Sequence, residues 1–209
     1  MNPGDALKNA AVEGVQAELP AYIGIDPTHV RLVRSDADAQ QALAALLSAD
    51  VIGFDTESKP TFAKGEVSTG PHLVQLATDD FAFLFQTATP AGNALAFTVL
   101  EPVLASSSIH KVGFGLGDDV KRLKSKFGIE LRNVLDLSTA LRRRGEKNPL
   151  GAKSAVERFF GQRLQKSKRI TTTNWSLPHL SDKQLQYAAD DAHAALRIYR
   201  RWKTETPAA

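Results

Sequence analysis

The 209-residue chain contains no cysteine. Disulfide frameworks, thiolate-held zinc, iron–sulfur clusters and cysteine nucleophiles are thereby excluded. A thiol-free chain needs no oxidising compartment, and the expected location is the cytoplasm. No apolar run approaches the length of a membrane span, and residues 1–21 lack the basic start and apolar core of a signal peptide, so no membrane partner is expected. Net charge is only +3, so no sign of charge dominates the whole molecule. There is no internal repeat and no low-complexity tract. A hydrophobic content of 43% is ordinary for a globular chain, and this length suits one generous domain better than two.

The charge is unevenly placed. From Arg142 to Arg169 there are ten Lys or Arg residues against two acids, Glu146 and Glu157. Such a run is either a solvated helical face or a surface for phosphates.

Periodicity divides the rest of the chain. Residues 1–27, with Pro3, Pro20 and Pro27, read as an extension with one short helix near 6–17. His29–Val33 reads as a strand, and Ser35 caps a helix to about Ser48 with the stripe Ala42, Leu43, Leu46 and Leu47. Val51–Glu57 is an apolar strand. A Gly- and Lys-containing loop follows, and His72–Thr78 with Phe81–Phe85 forms a hairpin. A helix over 93–105 is expected to kink or end early at Pro102. Ser108–Gly113 is a strand leading through Gly113, Gly115 and Gly117 into a helix from Asp118 to Phe127. That glycine spacing is not the dinucleotide fingerprint. Asp136 caps a helix to about Arg144, and Leu150–Phe160 forms another. The last helix carries a capping box, Ser181 with Gln184, and an apolar staple, Leu180 with Leu185. The class is α/β.

Four acids stand where chemistry is cheaper to explain than packing. Asp55 and Glu57 share one face of the strand Val51–Glu57, because strand side chains alternate. Two carboxylates on one face at the end of a core strand call for a cation. In the last helix Gln186, Asp190, His193, Arg197, Arg200 and Arg201 form a polar stripe, whereas Asp191 falls with Tyr187, Ala188, Ala195, Ile198 and Trp202 on the buried side. Asp119 likewise borders the inner face of its helix, while Lys121, Arg122 and Lys124 point outward and Asp118 reads as a first-turn acid. Taken singly, each inward acid is equally a buried carboxylate paired with an arginine or a helix end.

Together these segments resemble a family. Gly53-Phe54-Asp55-Thr56-Glu57, Lys111 through Asp119 and Tyr187-Ala188-Ala189-Asp190-Asp191 are similar to the three motifs of the DEDDy 3′-5′ exonucleases, the ribonuclease D and Werner-helicase type. Asn174-Trp175-Ser176 extends the likeness to the Werner type. The resemblance covers about His29 to Glu205. It implies a ribonuclease H-like fold, a mixed central sheet flanked by helices in a single domain over 28–205, with 206–209 as a tail. It also implies removal of nucleoside 5′-monophosphates from the 3′ end of DNA or RNA with two divalent cations, Mg²⁺ or Mn²⁺. The metal-binding acids would be Asp55, Glu57, Asp119 and Asp191, with Tyr187 orienting the attacking water. Asp55 would bridge both ions, Glu57 and Asp191 would hold the one that activates water, and Asp119 would serve the leaving-group side. Gln186 stands where related proofreading enzymes place histidine, which puts the chain in the tyrosine branch.

Clustered oxygen ligands without sulfur suit hard cations and phosphodiester cleavage. Thr56, Gln75, Lys111, Trp175, Lys168 and Arg169 are candidate substrate contacts, the basic residues for phosphates and Trp175 for base stacking; a packed interior or a solvated surface is the plainer account of each. The alternatives are a nucleic-acid-binding module on this fold without turnover, a nuclease of other polarity on it, and an unrelated domain with structural acids.

Overall fold

The computed structural model describes residues 18–61, 65–165 and 168–206; the helix expected near 6–17 lies outside them. Six strands form one sheet: β1 (Val30–Leu32), β2 (Val51–Glu57), β3 (Leu73–Ala77), β4 (Ala82–Gln86), β5 (His110–Gly113) and β6 (Val134–Asp136). The order is β1-β4-β3-β2-β5-β6, with β3 antiparallel to both neighbours and every other pairing parallel. The carboxyl ends of β2, β5 and β6 therefore meet at one end of the sheet.

One face is covered by α1 (Asp36–Leu47), α2 (Pro90–Leu104) and α3 (Gly117–Phe127), which bury Ala42, Leu46, Val99, Leu100 and Leu123 against Ile52, Phe54, Val74 and Phe85. The other carries α4 (Leu137–Ala140), α5 (Ala152–Phe160), the four-residue α6 (Lys168–Thr171) and α7 (Asp182–Glu205), whose Ala188, Ala192 and Leu196 are fully buried. Capping residues set the boundaries. Ser35 and Ser181 both make complete capping boxes, and Thr89 caps α2.

Several expectations change. α2 runs through Pro102 because Val103 and Leu104 beyond it are fully buried and hold the chain on the helix. Leu47 is 48% exposed, and Ala39 takes its place in the buried stripe of α1. The helix after Asp136 stops at Ala140, so Arg142, Arg143 and Arg144 lie on a loop and not on a helical face. β6 was too short to show a period.

α7 crosses β2 with almost no gap. A Cβ on Gly53 would stand 1.9 Å from the carbonyl oxygen of Ala192, so only glycine permits the crossing. At the other face Lys111 is completely buried, and its ammonium donates to the carbonyls of Ser106, Ile109 and Arg132. Burial lowers its pKa from 10.5 to about 8.

Gly53→Val should cost about 1–3 kcal/mol by overpacking, read as a fall of roughly 2–4 °C in Tm per kcal/mol. Lys111→Met should also lower Tm, by stranding three carbonyls. The folded pKa of Lys111 lies below its unfolded value, so between the two the unfolded chain binds more protons. The stability difference between wild type and Lys111→Met in denaturant titrations should therefore grow as pH rises from about 8 towards 10.

Candidate active site

The strand β2 delivers Asp55 and Glu57 to the face that α7 covers, and α7 brings Asp191 down onto them. One carboxylate oxygen from each of the three lies within 4.8 Å of the others; Asp55 and Glu57 are half-buried and Asp191 is buried. The approach depends on Gly53, two residues before Asp55, and on Ala192, next to Asp191. Three carboxylates this close repel one another unless a proton or a cation lies between them. The donor set is oxygen only and partly solvent-accessible, which fits a hard divalent ion. Asp55 Oδ1 also accepts the Thr56 backbone N–H at 2.9 Å.

Tyr187 lies one helical turn before Asp191, and its phenol donates to the Asp191 carboxylate. Burial, then the charges of Asp191, Glu57 and Asp55, push its pKa far above the ordinary tyrosine value, so it remains a proton donor. Its ring packs against Trp175 at 6.1 Å between centroids.

Asp119 is not in the group of three. It approaches the end of β2 from α3, and Thr56, which points to the opposite face from Asp55 and Glu57, donates its hydroxyl to Asp119 Oδ1. Burial raises the Asp119 pKa, against the pull of that bond and of the Arg122 charge. Asp118 is exposed and pairs with Lys121 at 3.2 Å. The turn that launches α3 is held by Asp136, whose carboxylate accepts from Gly115 N and Leu116 N at 3.0 Å while capping α4 through Ser138 N at 2.9 Å.

Four of the expected substrate contacts are buried. Thr56 uses its hydroxyl on Asp119. Gln75 sits opposite Asp55 on β3 but is fully buried, and among the described residues its amide has no hydrogen-bond partner. Lys111 is an interior pin held by three carbonyls, and Trp175 is fully buried against Tyr187. Arg169 is exposed beside Lys183, where the two line a cavity of about 400 Å³. Lys168 belongs to α6, but its side chain, like Lys166, lies outside the described residues.

Sequence reasoning missed three features. Arg122 is half-buried, not outward-facing, and its guanidinium donates to Ser58 Oγ at 3.0 Å just beyond Glu57. His72 is buried and accepts the Lys59 N–H at 3.2 Å; burial first, then Lys126, Lys59 and Arg122, lowers its pKa to about 4 and keeps it neutral. The polar stripe of α7 is not a wet face: His193 is buried, and residues 22–25 lie over Gln186, Asp190 and Arg197. Burial raises the Asp190 pKa to about 6, against bonds from Ile25 N–H and Gln186. Asp190 falls at the right period for solvent, and only the placement of a distant segment covers it.

A family profile described as 3′-5′ exonuclease matches residues 30–206. A 3′-5′ exonuclease of Arabidopsis thaliana is 31% identical over 154 residues, which are 71% of this chain and 51% of the relative. The bifunctional 3′-5′ exonuclease/ATP-dependent helicase WRN of Mus musculus is 29% identical over 161 residues, 75% of this chain but 11% of the relative. The chain thus spans about half, or much less, of the length of these relatives. The crystal structure of the Nibbler EXO domain of Aedes aegypti superposes with a TM-score of 0.71 at 25% identity, covering 88% of this chain and 91% of that one. The single reversed strand and the helices on both faces are the ribonuclease H-like fold of such domains. With the profile spanning β1 to the end of α7 and the motif acids gathered at one end of the sheet, the chain belongs to the 3′-5′ exonuclease family.

Proposed function

We propose that the protein hydrolyses phosphodiester bonds from the 3′ end of DNA or RNA, releasing nucleoside 5′-monophosphates, with two divalent cations, Mg²⁺ or Mn²⁺. The carrying observation is the convergence of Asp55, Glu57 and Asp191, with the Tyr187 phenol bound to Asp191. These three acids, and Asp119 across Thr56, are the residues that would hold the ions. Bound there, such ions neutralise phosphate charge and make water a stronger acid at neutral pH.

The remaining roles belong to the side chains. Tyr187, kept protonated by its surroundings, would turn its O–H from Asp191 to the attacking water or to a phosphate oxygen once a cation satisfies that carboxylate. Arg122, at the rim next to Ser58, offers a guanidinium for the phosphate behind the scissile bond. The loop after α4 leaves the sheet at the end that carries the acids. Its only acid, Glu146, is held internally by Arg143 N at 2.8 Å and Arg158 at 2.6 Å, so the exposed Arg142, Arg143, Arg144 and Lys147 present a net positive surface to a nucleic-acid backbone. Among the described residues no helix is long and apolar enough to cross a membrane. A cytoplasmic site of action is part of the same proposal, on the cysteine-free composition.

Digestion of end-labelled single- and double-stranded DNA and RNA with Mg²⁺ or Mn²⁺ should give a one-nucleotide ladder from the 3′ end. Internal cuts, metal-independent cleavage or binding without turnover would overturn the reading. Asp55→Ala should lose activity by about a thousandfold while its Tm in EDTA is unchanged or higher, since one of three repelling charges is gone. Tyr187→Phe should lower kcat by about a hundredfold. Mn²⁺ at about 100 times its Kd should stabilise the wild type by roughly 2.7 kcal/mol and leave Asp55→Ala unmoved in thermal scans.

A further inference from the structure

The segment before β1 is tied to α7 at the residue next to the innermost acid. Ile25 N–H donates to Asp190 Oδ1 at 2.9 Å. The Gln186 amide donates both to Ile25 O at 2.8 Å and to the same Asp190 oxygen at 3.0 Å. Gly24 has no room for a side chain: a Cβ there would be 1.9 Å from Asp190 Oδ1. The segment is anchored on both flanks. Arg197 donates to Ile23 O at 2.9 Å, while Tyr22 N donates to Arg163 O at 3.0 Å and Arg163 N to Pro20 O at 2.8 Å. Tyr22 and Ile25 are themselves buried.

A cavity of about 220 Å³ opens between Tyr22, Leu164 and Gln165 on one side and Tyr187, Asp190 and Asp191 on the other. Along this side the strap reaches α7 through hydrogen bonds, whereas the opposite side is held to the sheet by burial of Ala188, Ala192 and Leu196. Successive helix residues are separated by about 100° of rotation and a rise of 1.5 Å, so a bond that fixes Asp190 also fixes the direction in which Asp191 points.

We propose that residues 22–25 form a positioning strap: by holding Asp190 they set the rotation of α7 that presents Asp191 and Tyr187 to Asp55 and Glu57. Asp190 and Gly24 are then positioning residues, not catalytic ones, and the inference rests on the exonuclease reading of the same acids. The strap precedes the segment matched by the family profile, which begins at residue 30. The bonds require an oxygen acceptor at 190 and no side chain at 24. A charge at 190 is not required.

Three variants of the full chain test this: Asp190→Ala, Asp190→Asn and Gly24→Val. Mn²⁺ affinity is measured without nucleic acid by electron paramagnetic resonance, and kcat and KM on a labelled single-stranded substrate well below each Tm. Asp190→Ala and Gly24→Val should weaken Mn²⁺ binding and lower kcat by about tenfold or more, with KM changed less than about twofold. Asp190→Asn keeps an acceptor oxygen for the Ile25 N–H and should stay within about twofold of wild type on both measures. Variants that lose Tm but keep wild-type Mn²⁺ affinity and kcat would overturn the proposal, leaving the strap a mere cover. So would Asp190→Asn as impaired as Asp190→Ala. Should the wild type bind Mn²⁺ yet digest no nucleic acid, the exonuclease reading fails while the Mn²⁺ arm still decides the strap.

Discussion

Everything in this site depends on how closely one helix crosses one strand. Where Gly53 meets the Ala192 carbonyl, α7 lies on β2 with no side chain between them. That places Asp191 within reach of Asp55 and Glu57, three groups that would separate if free to do so. The force holding them together is not local. It is the burial of Ala188, Ala192, Leu196 and Ile198 against Leu73, Leu84 and Val112 along the same crossing. The protein sets a large apolar interface against a small electrostatic penalty, and a cation recovers the penalty when it binds. An active site under this tension is a common outcome when function and stability draw on the same contact.

The parts around the acids share one location, the end of the sheet where β2, β5 and β6 finish. The carboxylate of Asp136 joins two of these exits, capping α4 and holding the turn from which α3 and Asp119 start. Positive groups lie on the elements that flank the acids: Arg122 on α3, Arg169 on α6 with Lys183 in the first turn of α7, and the arginine loop after α4. A negative centre with a positive surround suits a polyanion whose reacting phosphate must be neutralised locally while the rest of its backbone is held more weakly.

Much of this was visible in the residues. Period-two and period-3.6 patterns placed β2, β3, β4 and most helices, and both serine caps on α1 and α7 were readable as such. Asp191 announced itself by standing on the apolar side of its own helix. The failures have a common cause. Gln75 and Trp175 read equally as packed interior or as ligand contacts and Lys111 as a surface charge, and all three are fully buried. For Lys111 the burial is made tolerable by carbonyls at 106, 109 and 132, two of them from neighbouring turns and one from across a loop. The polar stripe of α7 misled in the same way, because the segment that covers it is more than 160 residues away in the chain, as in the pairing of Ile25 with Asp190 at a separation of 165.

By itself the amino-acid sequence determined most of the elements, the serine-capped starts of α1 and α7 and which acids stand on inward faces, because periodicity, capping and charge on an apolar face are properties of a short stretch of chain. Only the tertiary structure decided which acids meet, that Asp119 is joined to the cluster through Thr56, that Arg122 turns inward, and that residues 22–25 lie over Asp190. Those facts depend on where distant segments are packed, and hydrophobic burial, which does the packing, has no direction of its own until the whole core is assembled.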